Sequence, residues 1–291
     1  MTDATERQHA IAPLLQSVSS LLFSAGRDEA RLKAELLLAH VLGIGRLDLL
    51  GRVEEPLGMD QHARLQALAE RVAAGEPLQY VLGETAFFGR WFNTDRRALI
   101  PRPETEELVQ AVLEDTDLWC RQQPVLVDVG TGTGCVALSL AAERPAARVL
   151  AVDISPAALE LARENERRLG LAGRVEWRAG DLLSGFAPGS VDAVVSNPPY
   201  VASAEIETLA LEIRAHEPRS ALDGGADGLR LVDRLVAEAF AVLRADGRLW
   251  LEIGDGQAEA VRRLLAAHGF GRTQVRRDLG GHERIVSGVR P

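Results

Sequence analysis

Asn197-Pro198-Pro199-Tyr200 is the run with the most specific chemistry in the chain. Proline carries no N–H and fixes its own φ, so the run presents bare carbonyl acceptors, and Asn197 adds a side-chain oxygen acceptor. Such a site suits a planar NH2 group. One N–H can go to Asn197 and the other to the carbonyl of Pro198, while Tyr200 packs against the flat face. Without a ligand the same four residues, Pro199 included, would be a rigid turn ending a strand.

A second constellation lies upstream. In Gly130-Thr131-Gly132-Thr133-Gly134 the glycines allow a tight strand-to-helix turn that a ligand can approach, and the next helix N-terminus offers free N–H groups to an anion. Asp153 follows Gly130 at about the spacing at which an acid accepts from ribose hydroxyls. A ligand containing a nucleoside fits both features. Nicotinamide cofactors and S-adenosylmethionine stay open on this evidence, although Cys135 stands where a dinucleotide fingerprint wants a third Gly or Ala. Asp181 is placed to accept from an adenine amino group, with Leu182 as an apolar contact to the ring; the alternative for Asp181 is a helix or turn cap.

These residues must be held by strands. The segments ending at Gly130, Asp153, Asp181 and Asn197 alternate with helices after Gly134 and from Pro156 to Leu169. The alternation continues with a helix from Gly228 to Leu243, the strand GRLWLEIG, a helix from Gln257 to His268, and two last strands near residues 273–277 and 283–289. This is the pattern of a doubly wound, mostly parallel α/β sheet, in which ligands bind outside the strands' carboxyl ends. Before it, residues 1–75 read as a small helical bundle. Its helices run to Gly26, from about Arg27 to Gly43, from Leu47 to Leu50 and from Asp60 to Ala74. Residues 76–97 concentrate aromatics and Gly without a helical period and read as a linker carrying a β-hairpin. Residues 98–291 form the second domain.

The chain has 291 residues, 46% hydrophobic and 26% charged, which excludes a largely disordered or low-complexity protein. Its formal charge of −9 gives no overall cationic field for nucleic acid. Lys33 is the only lysine. Arg96-Arg97, Arg262-Arg263 and Arg276-Arg277 are isolated basic pairs, which read as solvated faces. Cys120 and Cys135 stand apart and the six histidines are scattered, His9 first, so no metal site is expected, and a reducing cytoplasmic setting is. Polar residues 1–9 do not resemble a signal peptide, and no apolar run reaches membrane-spanning length.

Taken together, EPLQYVLGETAFFG, LIPRPETE, VDVGTGTGC, Asp153, SNPPY and ALDGGADGL resemble the HemK/PrmC family of protein-(glutamine-N5) methyltransferases, across nearly the whole chain. The resemblance implies a Rossmann-like class I fold with a seven-stranded sheet, S-adenosylmethionine as cofactor, and peptide-chain release factors as partners, methylated on the glutamine of their GGQ motif. It implies that Gly130 to Gly134, Asp153, Asp181, Leu182 and Asn197 hold the cofactor, and that Asn197, Pro198, Pro199 and Tyr200 hold the glutamine. Leu182 departs from the aromatic residue that relatives often carry there. NPPY alone is shared with amino-methyltransferases of nucleic acids, and a ribosomal-protein glutamine is the nearest alternative substrate. A nucleotide-binding regulator without catalysis would leave NPPY unexplained.

Methyl transfer from a sulfonium needs nucleophile and methyl held in line, so positioning should dominate. Acceptors on both N–H bonds of an amide would localise density on its nitrogen, the role expected of Asn197 and the Pro198 carbonyl; proton loss can follow to solvent. Arg102 and Glu104 are expected to shape the cofactor pocket, against the alternative of a plain linker entering a helix that Thr105 caps.

Overall fold

The computed structural model describes residues 10–291; the expectations for residues 1–9, His9 among them, lie outside the described residues. The chain divides into two compact units.

The first unit spans the chain to Gly83 and also takes in Leu211–His216, far away in sequence. Apolar residues at helical spacing build α1 (Ile11–Ser24), α2 (Ala30–Leu42) and α3 (Met59–Ala73), with a 3-10 turn at Arg46–Gly51. Ile11, Leu15, Leu22, Leu37, Leu38 and Leu65 are buried together as its core. The segment beginning at Gly75 departs from the expected linker: Leu78–Leu82 forms a helical turn, α4, that buries Leu78, Tyr80 and Val81. One turn is too short to show a period, which is why composition hid it. Leu211–His216 is a short helix, and the Lys33 ammonium meets Glu212 at 2.9 Å with only 13% of the lysine side chain exposed.

The second unit begins with the expected hairpin, β1 (Glu84–Phe87) against β2 (Arg90–Asn93). Helix α5 (Pro103–Leu113) follows, with proline at its first position, where no N–H is needed. Then come β3 (Val125–Val129), α6 (Cys135–Glu143), β4 (Arg148–Asp153), α7 (Pro156–Arg168), β5 (Val175–Ala179) and β6 (Val191–Ser196). After the four-residue turn Asn197-Pro198-Pro199-Tyr200, two short strands absent from the sequence reading, β7 (Val201–Ala202) and β8 (Asp223–Gly225), pair in parallel. The chain ends with α8 (Arg230–Val242), β9 (Leu243–Glu252), α9 (Ala258–Ala267), β10 (Gly271–Arg277) and β11 (Glu283–Val289).

The main sheet has seven strands in the order β10-β11-β9-β6-β3-β4-β5. The five from β9 to β5 are parallel, and at one edge β11 alone runs against them, antiparallel to both of its neighbours β9 and β10. Alternate residues enter opposite cores: Leu126 and Val149 pack with α5 and α6, while Val127 and Leu150 pack with α8 and α9. Strand order reverses beside β3, so β4 and β6 flank it and a crevice must form at the carboxyl ends.

Candidate active site

The carboxyl ends of β3, β4, β5 and β6 open onto one cavity of about 500 Å³, within the range of small-molecule sites. Gly130, Thr131, Gly132, Thr133, Asp153, Asp181, Leu182, Asn197 and Pro199 line it. Gly134, Pro198 and Tyr200 do not. Gly134 acts by packing: at φ +80° it precedes α6, and a Cβ there would meet Trp177 at 3.0 Å and Ala162 at 3.1 Å. Pro198 is buried. The Tyr200 ring lies behind the turn against Gly254, and its hydroxyl is pushed up to about 12 by burial and the nearby Glu252 carboxyl.

Asp153 organises the glycine loop. Its Oδ2 accepts from the Gly132 N–H at 2.9 Å and its Oδ1 from the Ser155 N–H at 2.8 Å. A carboxylate accepts about four hydrogen bonds, so both oxygens retain capacity for ligand hydroxyls. Burial raises its pKa. One amide at the start of α6, that of Ala137, is already donated to Asp128 at 3.2 Å, so this helix end is less open to an anion than its sequence suggests.

Asp181 is not the cap that was its alternative reading. Its side chain takes an ion pair from Arg234 at 2.8 Å while still facing the cavity. Leu182 adopts φ +51°, a left-handed conformation uncommon for a residue with an apolar side chain. The turn after β5 thus holds Leu182 on the cavity wall at some cost in strain.

The Asn197 carboxamide has two unlike ends. Its Nδ2 donates to the Thr105 hydroxyl at 3.0 Å, whereas Oδ1 meets no partner among the described residues, and Asn197 lines the cavity. Thr105 is therefore no helix cap. The position before α5 belongs to Arg102, and Thr105 is buried in the first turn with its hydroxyl accepting from Asn197. Arg102 lines the cavity and pairs with the buried Glu217 at 2.5 Å; Glu104 is exposed and does not line it.

Sequence reasoning missed Thr105 in this role, along with Glu252 and Asp128. The two acids left a signal: each interrupts an apolar strand, VLVDV and RLWLE, where a carboxylate is expensive to bury unless it has partners. Asp128 lines the cavity and accepts from the Thr131 hydroxyl at 2.6 Å. Burial pushes it up to about 7, and Glu252 likewise to about 7. The Cys135 thiol is pushed up to about 12 by burial, so it supplies no thiolate.

These raised values fix how stability depends on pH. Folded Asp128 and Glu252 hold protons that the unfolded chain releases above pH 4 to 5, so stability falls as pH rises from there through 7. The cost is on the order of 3 kcal/mol per group at the alkaline end. Paired carboxyls such as Asp95, whose hydrogen bonds from Arg97 hold it low, act in the opposite sense below about pH 4. Urea midpoints should therefore peak near pH 5 and decline towards pH 8, with a shallower decline in Glu252→Gln; an equal slope in the variant would contradict the assignment.

The basic pairs are engaged on the protein's own surface. Arg97 is held by Asp95 and Glu164, Arg262 and Arg263 by Glu259, Arg276 by Glu107 and Glu114, and Arg277 by Glu283. Among the described residues no helix is long and apolar enough to cross a membrane, and no three acidic, His or Cys side chains gather as a metal site.

Known proteins resemble the chain over nearly all of its length. Residues 13–83 match the family model "PrmC N-terminal domain" and residues 105–226 the model "Methyltransferase small domain". A release factor glutamine methyltransferase of Cereibacter sphaeroides is 43% identical over 280 residues, which is 96% of this chain and 98% of that protein. One from Moorella thermoacetica is 45% identical over 270 residues, 92% of this chain and 94% of that protein. Among solved structures, a methyltransferase from Pyrococcus furiosus superposes with a TM-score of 0.51 at 19% identity, covering 70% of this chain and 91% of that one, a likeness of fold.

Proposed function

Because the chain belongs to the release factor glutamine methyltransferase family, we propose that it transfers the methyl group of S-adenosylmethionine to the side-chain N5 of a release-factor glutamine, the one in the GGQ motif. The observation that carries this reading is the Asn197 carboxamide, tied back through its nitrogen and open to the cavity through its oxygen. An open acceptor at a strand end recognises an N–H donor, and a glutamine amide offers one beside a nucleophilic nitrogen.

The cavity fits the cofactor. Asp153 and Asp181 stand at adjacent strand ends as acceptors for ribose hydroxyls and an adenine amino group, with Leu182 as the apolar wall. Asp128 and Asp153 bring carboxyl oxygens to the crevice, acceptors that suit the donors of an ammonium group. When bound, S-adenosylmethionine supplies an electrophilic methyl on a positively charged sulfur. Asn197 accepts from the amide N–H and turns the nitrogen lone pair towards that methyl; the Pro198 carbonyl is the proposed second acceptor. Holding the reacting atoms about 3 to 3.5 Å apart and in line accounts for most of the expected acceleration. Among the described residues no His or Lys lines the cavity, and none is needed, because the nitrogen becomes acidic only as the new bond forms. The proton then leaves to solvent.

The test is to incubate the protein with labelled S-adenosylmethionine and, separately, release factors, ribosomal proteins, DNA and tRNA, and to locate the label by mass spectrometry. Label is expected on the GGQ glutamine. Label confined to another substrate would replace this reading.

A further inference from the structure

Asn165 lies in α7 with none of its surface exposed, outside the residues assigned above to cofactor or glutamine. Its Oδ1 accepts from the Asn93 N–H at 2.6 Å, and its Nδ2 donates to the Asn93 carbonyl at 3.2 Å and to the Thr133 carbonyl at 2.9 Å. Because Asn93 engages both ends of the carboxamide, only one orientation of it fits. The two residues it joins lead to two different pieces of the cavity wall. Thr133 belongs to the glycine loop, and Asn93 ends β2, just before the cavity-lining segment Arg97 to Arg102.

Neighbours on α7 fasten the same two pieces. Glu164 takes two hydrogen bonds from the Arg97 guanidinium, at 2.8 and 2.7 Å, and Ala158 and Leu161 pack with Ala98. On the loop side α7 comes so close that a Cβ on Gly134 would meet Ala162 at 3.1 Å. Holding α7 to the sheet does not call for a carboxamide, since Leu159, Leu161 and Ala162 are already buried beneath it and an apolar side chain would avoid the cost of desolvating an amide. What the carboxamide adds is register: it sets two backbone segments at hydrogen-bonding distance from one side chain. A ligand that meets two walls already in register has less to order on binding than one that must set each in turn.

We propose that Asn165, with Glu164 beside it, is a positioning residue that locks the glycine loop and the 97–102 segment into one preset frame for the cofactor. The inference rests on the reading of this cavity as the S-adenosylmethionine site. Neither residue lines the cavity, so both act through the backbone and the guanidinium they hold. The turn that carries Asn197 is not part of this frame, so the lock governs cofactor affinity and leaves the methyl-transfer step alone.

Three variants of the full chain test this, with S-adenosylmethionine affinity by calorimetry, kcat at saturating cofactor, melting temperature and backbone hydrogen exchange measured on each. Asn165→Ala should raise the cofactor Kd roughly 10-fold, the order of one net hydrogen bond, while kcat stays within about threefold. Its amides in residues 94–102 and 130–134 should exchange faster together, with no ligand present. Glu164→Ala should raise Kd about two- to fivefold, the size of an exposed ion pair. Val261→Ala, a core truncation in α9 that does not border the cavity, should melt lower yet bind cofactor within about twofold of wild type. Unchanged Kd in folded Asn165→Ala, faster exchange confined to one of the two segments, or an equal rise of Kd in Val261→Ala would overturn the proposal. If Asn165→Ala does not fold, Glu164→Ala decides: a wild-type Kd there overturns it. If the wild-type protein binds no S-adenosylmethionine, the reading of the site fails, and the exchange experiment, which needs no ligand, still judges the lock.

Discussion

Asn197→Ala is expected to lower kcat for release-factor methylation by about 10²- to 10³-fold, the size of effect seen when a single aligned hydrogen-bonding group is taken from a reacting centre. Melting temperature should stay near wild type, because the asparagine is only half buried and, among the described residues, gives up a single side-chain hydrogen bond, to Thr105. Cofactor affinity should fall little, since the glycine loop, Asp153 and Asp181 are untouched. Asn197→Asp should be nearly as slow. A carboxylate has no N–H to give Thr105, and a negative charge would stand where the amide must approach. Single-turnover methyl transfer at saturating cofactor is the measurement. A folded Asn197→Ala protein transferring methyl at the normal rate would remove the acceptor from the mechanism.

Gly228→Ala is expected to damage the same centre from behind. Gly228 has φ +76°, and a Cβ there would fall inside the contact distance of the Tyr200 carbonyl oxygen and stand 2.7 Å from Gln257 Nε2, which itself donates to that carbonyl at 3.0 Å. Gly224 is equally close: its Cβ would stand 2.5 Å from the Gly228 oxygen and 2.7 Å from the Pro199 oxygen. The Pro199 and Tyr200 oxygens are backbone atoms of a turn stiffened by two prolines, so they cannot yield cheaply. The left-handed φ and the overlap together should cost about 2 to 4 kcal/mol, and the turn should shift by enough to lower kcat at least 10²-fold. Thermal melting together with single-turnover rates on the fraction that remains folded tests both parts. Unchanged values in both would mean that the turn is not braced by Gly228.

The sheet was readable because each strand ends in a residue that does not continue it, at Gly130, Asp153, Asp181 and Asn197, and because helical periods lie between them. The crevice followed from the rule that ligands sit where strand order reverses. What stayed hidden depends on contacts between distant segments. Nothing near Asp181 in sequence points to Arg234, and nothing near Thr105 points to Asn197, 92 positions away. Thr105 entered only as a cap in the alternative reading of its segment, because capping is the common local use of threonine, whereas packing turned it inward. Pro198 and Tyr200 read as facing a ligand, yet neither lines the cavity: Pro198 is buried, which leaves its backbone carbonyl as the only group it can offer, and the Tyr200 ring packs against Gly254. The ALDGGADGL run entered only through resemblance; the packing of Gly224 and Gly228 against the turn backbone gives it a physical reason.

The helical unit draws on two separate pieces of the chain, its N-terminal helices and the hexapeptide Leu211–His216, joined through Lys33 and Glu212. No single cut can therefore excise it whole. A graft of the first 83 residues onto another catalytic body would leave the lysine without its counterion, and a truncation that begins at Glu84 would keep an orphaned hexapeptide with nothing of its own to fold upon.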